Sequence, residues 1–518
     1  MTSAGAYIDE GIAAQRVRDH ARAAAAFERA LAADPTARDA RYELANAYRD
    51  LQRLDDAERE IRAVIAAKPA DPKAHTALGV ILLESGRPAD AVMAHEAAMK
   101  ADPAFAPAAT NWLHALQYVP NVTAASLARA HAHWAELFAP PETAAPFANS
   151  RDPDRPVVVG FVSPELCQHP VGLLSERLFA NLDRKFIRPV VFSTRPTEYE
   201  DDVSRRIAAV TQWTGVFGLS DDALAAFIKA SKVDVLVDMS GHTGYNRLKL
   251  FAARVAPVQV TWLGYPSTTG VPAMDVLLAT AALAPPSLQD FVGERIVRLP
   301  ETHVCFAAED APPVEPLPAI ANGYVTFGCL NNPAKISDGA LAAFANVLTR
   351  VPGSRLKLRY QSLSAPGRQL RLRRAFEAHG IAPDRIDISG EAPRAAFLST
   401  YGDIDIALDT FPYSGCMTTC EALWMGCPVD TTPGETMASR QSASVLSAAG
   451  LTELIAPDRQ GYEDLAVRLA HDITGLSALR AGLRARVALS PLSDGPRFAR
   501  AFTVAMRKIW SEWCARAR

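Results

Sequence analysis

The run YSGCMTTCEALWMG (413–426) gathers the groups in this chain best suited to holding an anion. It follows a β-rich stretch, DIDIALD (403–409), and opens an amphipathic helical pattern. Gly415 and the two threonines therefore stand where a helix leaves backbone N–H groups unbonded and presents the positive end of its dipole, an arrangement suited to a diphosphate. Thr418 and Thr419 can add hydroxyl donors; the alternative for either is a plain N-cap. Lys335, in LNNPAKIS (330–337), is a lone cation between a strand-like and a helix-like segment, and is either solvated or a fixed counter-charge. Two of the 11 histidines, His169 in CQHPVG and His242 in SGHTGYNR, follow strand-like runs. An imidazole at a strand end serves as a base, as a positioner, or as a satisfied structural group. Residues 262–266 (WLGYP) read as a strand entering a tight loop, where the backbone of Leu263, Gly264 and Tyr265 can approach a ligand closely. Cys416 and Cys420, at i and i+4, share a helical face, but two thiols without further ligands read as packing residues. The only Asp-x-Asp triplets are DPD (152–154), in a Pro-rich stretch, and DID (403–405), within a predicted strand. No metal site is expected from either.

Positioning these groups requires strands whose carboxyl ends share an edge. VVVGFVS (157–163), RPVVFST (188–194), VDVLVDM (233–239), VQVTWLG (258–264) and DVLLAT (275–280) are short β-rich runs separated by helical segments, the pattern of a parallel sheet covered on both faces. A Pro-rich break, AAEDAPPVEPLPAIANG (307–323), precedes a second such series: YVTFGCL, RLKLRYQ, RIDISG, DIDIALD and CPVDTT. Open sheets of this kind bind ligands beyond the carboxyl ends of their strands.

Ahead of both series the chain repeats itself. Pro35, Pro69 and Pro103 close similar Ala-rich segments 34 residues apart. Small residues keep phase at the eighth position (Gly11, Ala45, Gly79), the twentieth (Ala23, Ala57, Ala91) and the thirtieth (Ala33, Ala67, Ala101). The twenty-seventh position is looser, with Ala30, Val64 and Ala98. Period and pattern resemble the tetratricopeptide repeat, in which paired helices touch at small side chains and stack into a concave array able to hold extended peptide. The expected organisation is three repeats over 4–105, a helical adaptor and linker over 106–154, Rossmann-like lobes over 155–310 and 320–490, and a C-terminal helix over 491–518. The stretch 139–156, rich in Pro and Asp, reads as the linker.

Composition sets limits on function. The 518 residues carry 54 Lys+Arg against 57 Asp+Glu, a net charge of −3, with 49% hydrophobic residues, so no nucleic-acid partner is expected. Seven scattered cysteines without a CxxC pair suggest a reduced, cytoplasmic protein. The absence of a basic–apolar leader and of a long apolar run argues against secretion and membrane spanning.

Seven blocks carry a specific resemblance: FVSPELCQHPVG (161–172), VDMSGHTGYNRL (237–248), PVQVTWLGYPSTTG (257–270), FGCLNNPAKI (327–336), ISGEAPR (388–394), ALDTFPYSGCMTTCEALWMGCPV (407–429) and PGETMASRQSASVL (433–446). In order and wording they resemble the O-GlcNAc transferase/SPINDLY family. The resemblance implies a GT-B-type fold and metal-independent, inverting transfer of a sugar to Ser or Thr of a protein. No cofactor is expected beyond the nucleotide-sugar substrate, which on this resemblance is UDP-GlcNAc; GDP-fucose and other sugars used on flagellin are the alternatives.

Residue by residue, the resemblance makes Lys335 the cation that neutralises the leaving diphosphate and His169 a catalytic-site residue, either base or positioner. His242, whose loop also lies at a strand's carboxyl end, is the second candidate or a purely structural residue, and the resemblance sets Leu263, Gly264 and Tyr265 against the transferred sugar. Ala392 (through its backbone), Arg394 and Phe397 would hold the base, Asn332 would donate an amide hydrogen bond, and Glu421 would accept from a ribose hydroxyl. Cys416, Thr418 and Thr419 would meet the diphosphate. Here the sequence departs from the family's threonine-rich helix start, because Met417 removes a hydroxyl. Two other readings are a repeat scaffold that only binds a partner and a GT-B enzyme acting on a small molecule or glycan. If the repeats recruit the acceptor, a chain beginning near Asn149 should keep nucleotide binding while losing its protein target.

Overall fold

The computed structural model describes residues 3–140 and 146–516. Six helices pair in sequence: α1 (Ala4–Arg16), α2 (His20–Ala33), α3 (Arg38–Asp50), α4 (Leu54–Ala67), α5 (Pro72–Glu84) and α6 (Pro88–Ala101). Two more follow, α7 (Ala106–Leu116) and α8 (Ala124–Phe138). The small residues of the repeat explain the pairing. A Cβ at Gly11 would fall 2.5 Å from the Phe27 ring, and one at Gly79 would fall 2.3 Å from the His95 ring, so glycine lets a large side chain of the partner helix cross. Ala23, Ala57 and Ala91 are fully buried at these contacts. The thirtieth-position alanines behave differently from the other columns. They terminate α2, α4 and α6, and Ala33 and Ala67 are exposed, whereas the looser twenty-seventh column (Ala30, Val64, Ala98) is buried.

Seven parallel strands form the first sheet: β1 (Val157–Ser163), β2 (Ile187–Ser193), β3 (Gln212–Gly215), β4 (Val235–Asp238), β5 (Val258–Thr261), β6 (Val276–Thr280) and β7 (Arg295–Leu299). Their order is β3-β2-β1-β4-β5-β6-β7, with Val157 opposite Ile187 and Val159 opposite Val235. The order reverses between β1 and β4, as in a doubly wound fold. Inner strands are buried along their length, which is why they read as unbroken apolar runs. The edge strands β3 and β7 were not evident in the sequence because QWTG and RIVRL are partly exposed and mix charge with apolar residues. The helix Gly495–Ala515 closes this core, with Phe498 and Phe502 against Trp262, and Phe502 also against Phe161.

Five shorter strands make the second sheet: β8 (Thr326–Cys329), β9 (Arg355–Arg359), β10 (Ile386–Ser389), β11 (Ile406–Leu408) and β12 (Val429–Asp430). Leu356 on β9 lies opposite Ile386 on β10, and Ala407 on β11 opposite Val429 on β12, both pairs parallel. DID (403–405) precedes β11 rather than lying within a strand. Asp405 is spent on the Ala319 and Thr326 N–H groups. The Pro-rich break before this sheet contains a short helix, Pro318–Asn322.

By compactness the chain divides into two units. One comprises Met1–Pro120, Phe327–Phe397 and Thr410–Pro412; the other comprises Asn121–Thr326, Leu398–Asp409 and Tyr413–Arg518. The repeats are therefore grouped with Phe327–Phe397, across the boundaries drawn from sequence. Residues 141–145 of the expected linker lie outside the described residues; the part beyond them is anchored. Asp234, fully buried, accepts from the Arg155 guanidinium, the Asn149 amide and the Val158 N–H, which together satisfy its charge.

Candidate active site

In the second unit, β1, β4 and β5 lie side by side and run the same way, so three loops emerge at one edge of the sheet. The first holds His169, which caps the helix α9 (Pro170–Asn181) by accepting the Val171 N–H on Nδ1 at 3.3 Å. With Nδ1 occupied as an acceptor, the neutral ring carries its proton on Nε2 and presents a donor. Part of the side chain, 42%, stays open, but the surrounding protein and then the Arg195 guanidinium push the imidazole down to about 4. It is neutral at pH 7. Its Nε2 stands 3.9 Å from Oε1 of Glu165 on the same loop.

The second and third loops are locked together. Asp238, at the end of β4, is buried and accepts from the Ser240 and Gly241 N–H groups and the Thr261 hydroxyl; burial raises it to about 6. Leu263 has φ 75°, and the Gly264 N–H donates to the Trp262 carbonyl, a γ-turn of the rare left-handed kind. A Cβ on Gly264 would fall 1.9 Å from the Met239 carbonyl oxygen, so only glycine fits. The phenol of Tyr265 is turned to α8, where it donates to His131 Nε2 at 3.0 Å, the Nδ1–H of His131 being given to Leu127. His242 is buried, donates from Nε2 to the Thr269 carbonyl at 2.8 Å, and meets Trp134 edge-on at 4.6 Å. Through Nε2 and the Trp134 contact His242 holds this loop against α8.

The helix Met417–Trp424 begins after Cys416, in the same unit. Its start is more committed than the sequence suggests. The Gly415 N–H, expected to be open, donates to Asp409 at 2.7 Å. The Thr419 hydroxyl is buried and bonded to Ser442 at 2.7 Å. Thr418 remains half-buried, its carbonyl receiving the Tyr401 hydroxyl. Glu421 and Cys420 are both buried, the latter within the packed face of the helix.

Tyr413 links these parts. Burial pushes its phenol up, reinforced by Tyr265, Cys416 and Glu165 and opposed by a hydrogen bond with Gln441. Tyr413 is thus within electrostatic reach of the helix start, the glycine loop and the β1 loop. Tyr413, Gln441, Glu165 and Asp238 were not singled out from sequence. Glu165 had one signal, its place four residues before His169.

The remaining candidates lie in the first unit. Lys335 ends a 3-10 turn, Pro333–Lys335, capped by Asn332, whose side-chain oxygen accepts the Ala334 N–H at 3.0 Å. His114 of α7 is half-buried, and desolvation of its ring, then the nearby Lys335 ammonium, hold it down to about 4. Arg394 opens the short helix Arg394–Ser399, and the Phe397 N–H donates to Pro393; Ala392, Arg394 and Phe397 are all half-exposed. Among the described residues, no group of three or more His, Cys, Asp or Glu side chains is arranged to hold a metal ion. No described helix is long and apolar enough to cross a membrane.

Comparison with known proteins follows the same division. The model of glycosyl transferase family 41 matches residues 141–310 and 317–502, and that of a tetratricopeptide repeat matches 14–81. The probable UDP-N-acetylglucosamine–peptide N-acetylglucosaminyltransferase SPINDLY of Solanum lycopersicum is 36% identical over 430 residues, covering 80% of this chain and 45% of that protein. Its counterpart from Arabidopsis thaliana is 35% identical over 429 residues, covering 80% and 46%. This chain spans about half the length of these curated relatives. Among solved structures, a lysine-to-methionine mutant of the Thermobaculum terrenum O-GlcNAc transferase matches with a TM-score of 0.93 at 34% identity, covering 99% of both chains.

Proposed function

Because the chain belongs to glycosyl transferase family 41, we propose that it is a protein O-glycosyltransferase that moves N-acetylglucosamine from UDP-GlcNAc to Ser or Thr of a protein recruited by the repeats. Its fold is that of tetratricopeptide repeats followed by a GT-B-type transferase. The observation that carries the reading is the similarity to an O-GlcNAc transferase over 99% of both chains, supported by the electrostatic reach of Tyr413 to a helix start, a glycine loop and the β1 loop.

In this reading the acceptor oxygen bonds to C1 of the sugar as the C1–phosphate bond breaks on the opposite face, inverting the anomeric centre. The electron pair leaves with the nucleoside diphosphate, and the hydroxyl proton passes to an oxygen of that diphosphate. Lys335 and the start of the helix Met417–Trp424 stabilise the departing charge, so no metal is needed. Leu263 and Gly264 offer backbone to the sugar; Ala392, Arg394 and Phe397 hold the base; Asn332 adds an amide donor; Glu421 takes a ribose hydroxyl. Thr418 is the hydroxyl at the helix start best placed for phosphate, since Thr419 is held by Ser442. His169 positions rather than deprotonates, because the Val171 N–H occupies Nδ1. A reducing compartment, the cytoplasm, suits seven cysteines that are all free thiols.

Met417 at the helix start favours keeping GDP-fucose or another nucleotide sugar as the second reading for the donor. Incubating the full-length chain and cell lysate with radiolabelled UDP-GlcNAc, GDP-fucose and other nucleotide sugars, with and without chelator, separates the readings. UDP-GlcNAc label in protein that survives chelator is expected. Label in glycan alone points to a glycan acceptor, and no label anywhere returns the chain to a binding scaffold.

A further inference from the structure

Resting on the transferase reading, we propose that Glu165 is a substrate-contacting residue of the site: Oε1 faces the Nε2–H of His169, and Oε2 donates a hydrogen bond to an oxygen of the transferred sugar. Three observations carry this. Glu165 lies two residues beyond β1, at the sheet edge where the β4 and β5 loops also emerge. Its side chain is only 17% exposed, yet Oε2 is buried with no hydrogen-bond partner. Buried polar atoms are nearly always partnered, so an orphaned carboxyl oxygen beside the β4 loop asks for a ligand atom. The third observation is proximity, since Glu165 lies within electrostatic reach of Tyr413, as do Tyr265 and Cys416.

The groups around Glu165 decide whether it donates or repels. His169 and Cys167 share its loop; Arg195 follows β2; Asp238 and Thr243 come from the β4 loop; Tyr413 stands before the helix Met417–Trp424. His169 is neutral, leaving Arg195 as the cation among them to serve two buried carboxyls. Burial first and the charge of Asp238 second raise Glu165 to about 8, against the Thr243 hydrogen bond and Arg195. Glu165 therefore keeps its proton at neutral pH. An ionised carboxyl here would repel an anionic nucleotide sugar; a neutral one can donate to it, a use of buried acids known from other enzymes.

The test uses full-length Glu165→Gln and Glu165→Ala, with UDP binding followed by calorimetry and transfer from UDP-GlcNAc to lysate protein followed across neutral and alkaline pH. The amide of glutamine still donates but does not ionise. Wild-type transfer should fall as pH rises through about 8. Glu165→Gln should keep most of the neutral-pH rate and lose that decline, while Glu165→Ala should lose about ten- to hundredfold in transfer with UDP affinity intact. Retained UDP binding shows that each variant is folded. A Gln variant as weak as Ala, an unchanged alkaline decline in Gln, or full activity in Ala would each overturn the proposal. A wild-type chain that binds UDP but transfers from no nucleotide sugar would instead bring down the transferase reading, and this inference with it.

Discussion

At the residue scale, the sequence shows which side chains stand at a strand or helix end, but not which of their polar atoms the fold engages. Lys335 is the clearest case, a cation after β8 on a turn that Asn332 caps. If it carries charge for the leaving diphosphate, Lys335→Ala should weaken UDP binding by about ten- to hundredfold, or about 1.5–3 kcal/mol, with little change in melting temperature. Calorimetry checks this, and unchanged UDP affinity would remove Lys335 from the site. His242 and Thr419 show what sequence does not carry. Both stand at positions suggesting function, and each has a polar atom engaged, Nε2 of His242 by Thr269 and the Thr419 hydroxyl by Ser442, partners 27 and 23 residues distant. Glu165 was missed for the opposite reason. A glutamate in a loop reads as solvated, and only the fold brings Asp238 and Tyr413 to it.

At the scale of elements, the inner strands and repeat helices were readable because burial leaves uninterrupted apolar runs or a fixed period. The edge strands β3 and β7 were not, since half-exposed strands carry mixed composition. The thirtieth-position alanines held their phase without being contacts, because they mark where helices end rather than where they touch. The glycine loop after β5 makes a sharper prediction. Gly264→Ala places a methyl group against the rigid Met239 carbonyl and should lower stability by about 1–3 kcal/mol while reducing transfer. Gly293→Ala, where nothing lies within 4 Å of the added atom, should leave both unchanged. Thermal melts of the two variants, with rates measured well below either transition, give the comparison. A Gly264→Ala enzyme as stable and active as wild type would mean that this backbone is free to move.

At the scale of the whole molecule, the sequence presents the repeats as a separate array on a linker, while the fold groups them with Phe327–Phe397. Within that unit Arg368, almost fully buried, donates to the Glu84 carbonyl at the end of α5. Arg371 pairs with Asp55 of α4 at 3.1 Å, and a Cβ on Gly367 would strike the Asp55 carboxylate. Lys335, Arg394 and Phe397 belong to the same unit, and His114 of α7 lies beside Lys335. A chain beginning near Asn149 should therefore lose more than its target. UDP binding should weaken along with transfer, because the Lys335 turn is stripped of its packing against the repeats. UDP affinity equal to that of the full chain would return the repeats to the role of a detachable recruiter.

The central claim is transfer of a sugar to a protein hydroxyl, and the most direct measurement is of the bond itself. Full-length wild type and Lys335→Ala, each given tritiated UDP-GlcNAc and lysate protein, are compared for label that alkaline β-elimination releases from Ser and Thr. The account predicts label in protein with wild type, released as N-acetylglucosamine by that treatment and reduced at least tenfold by Lys335→Ala. Absence of label from every protein, or label that resists β-elimination, would contradict it.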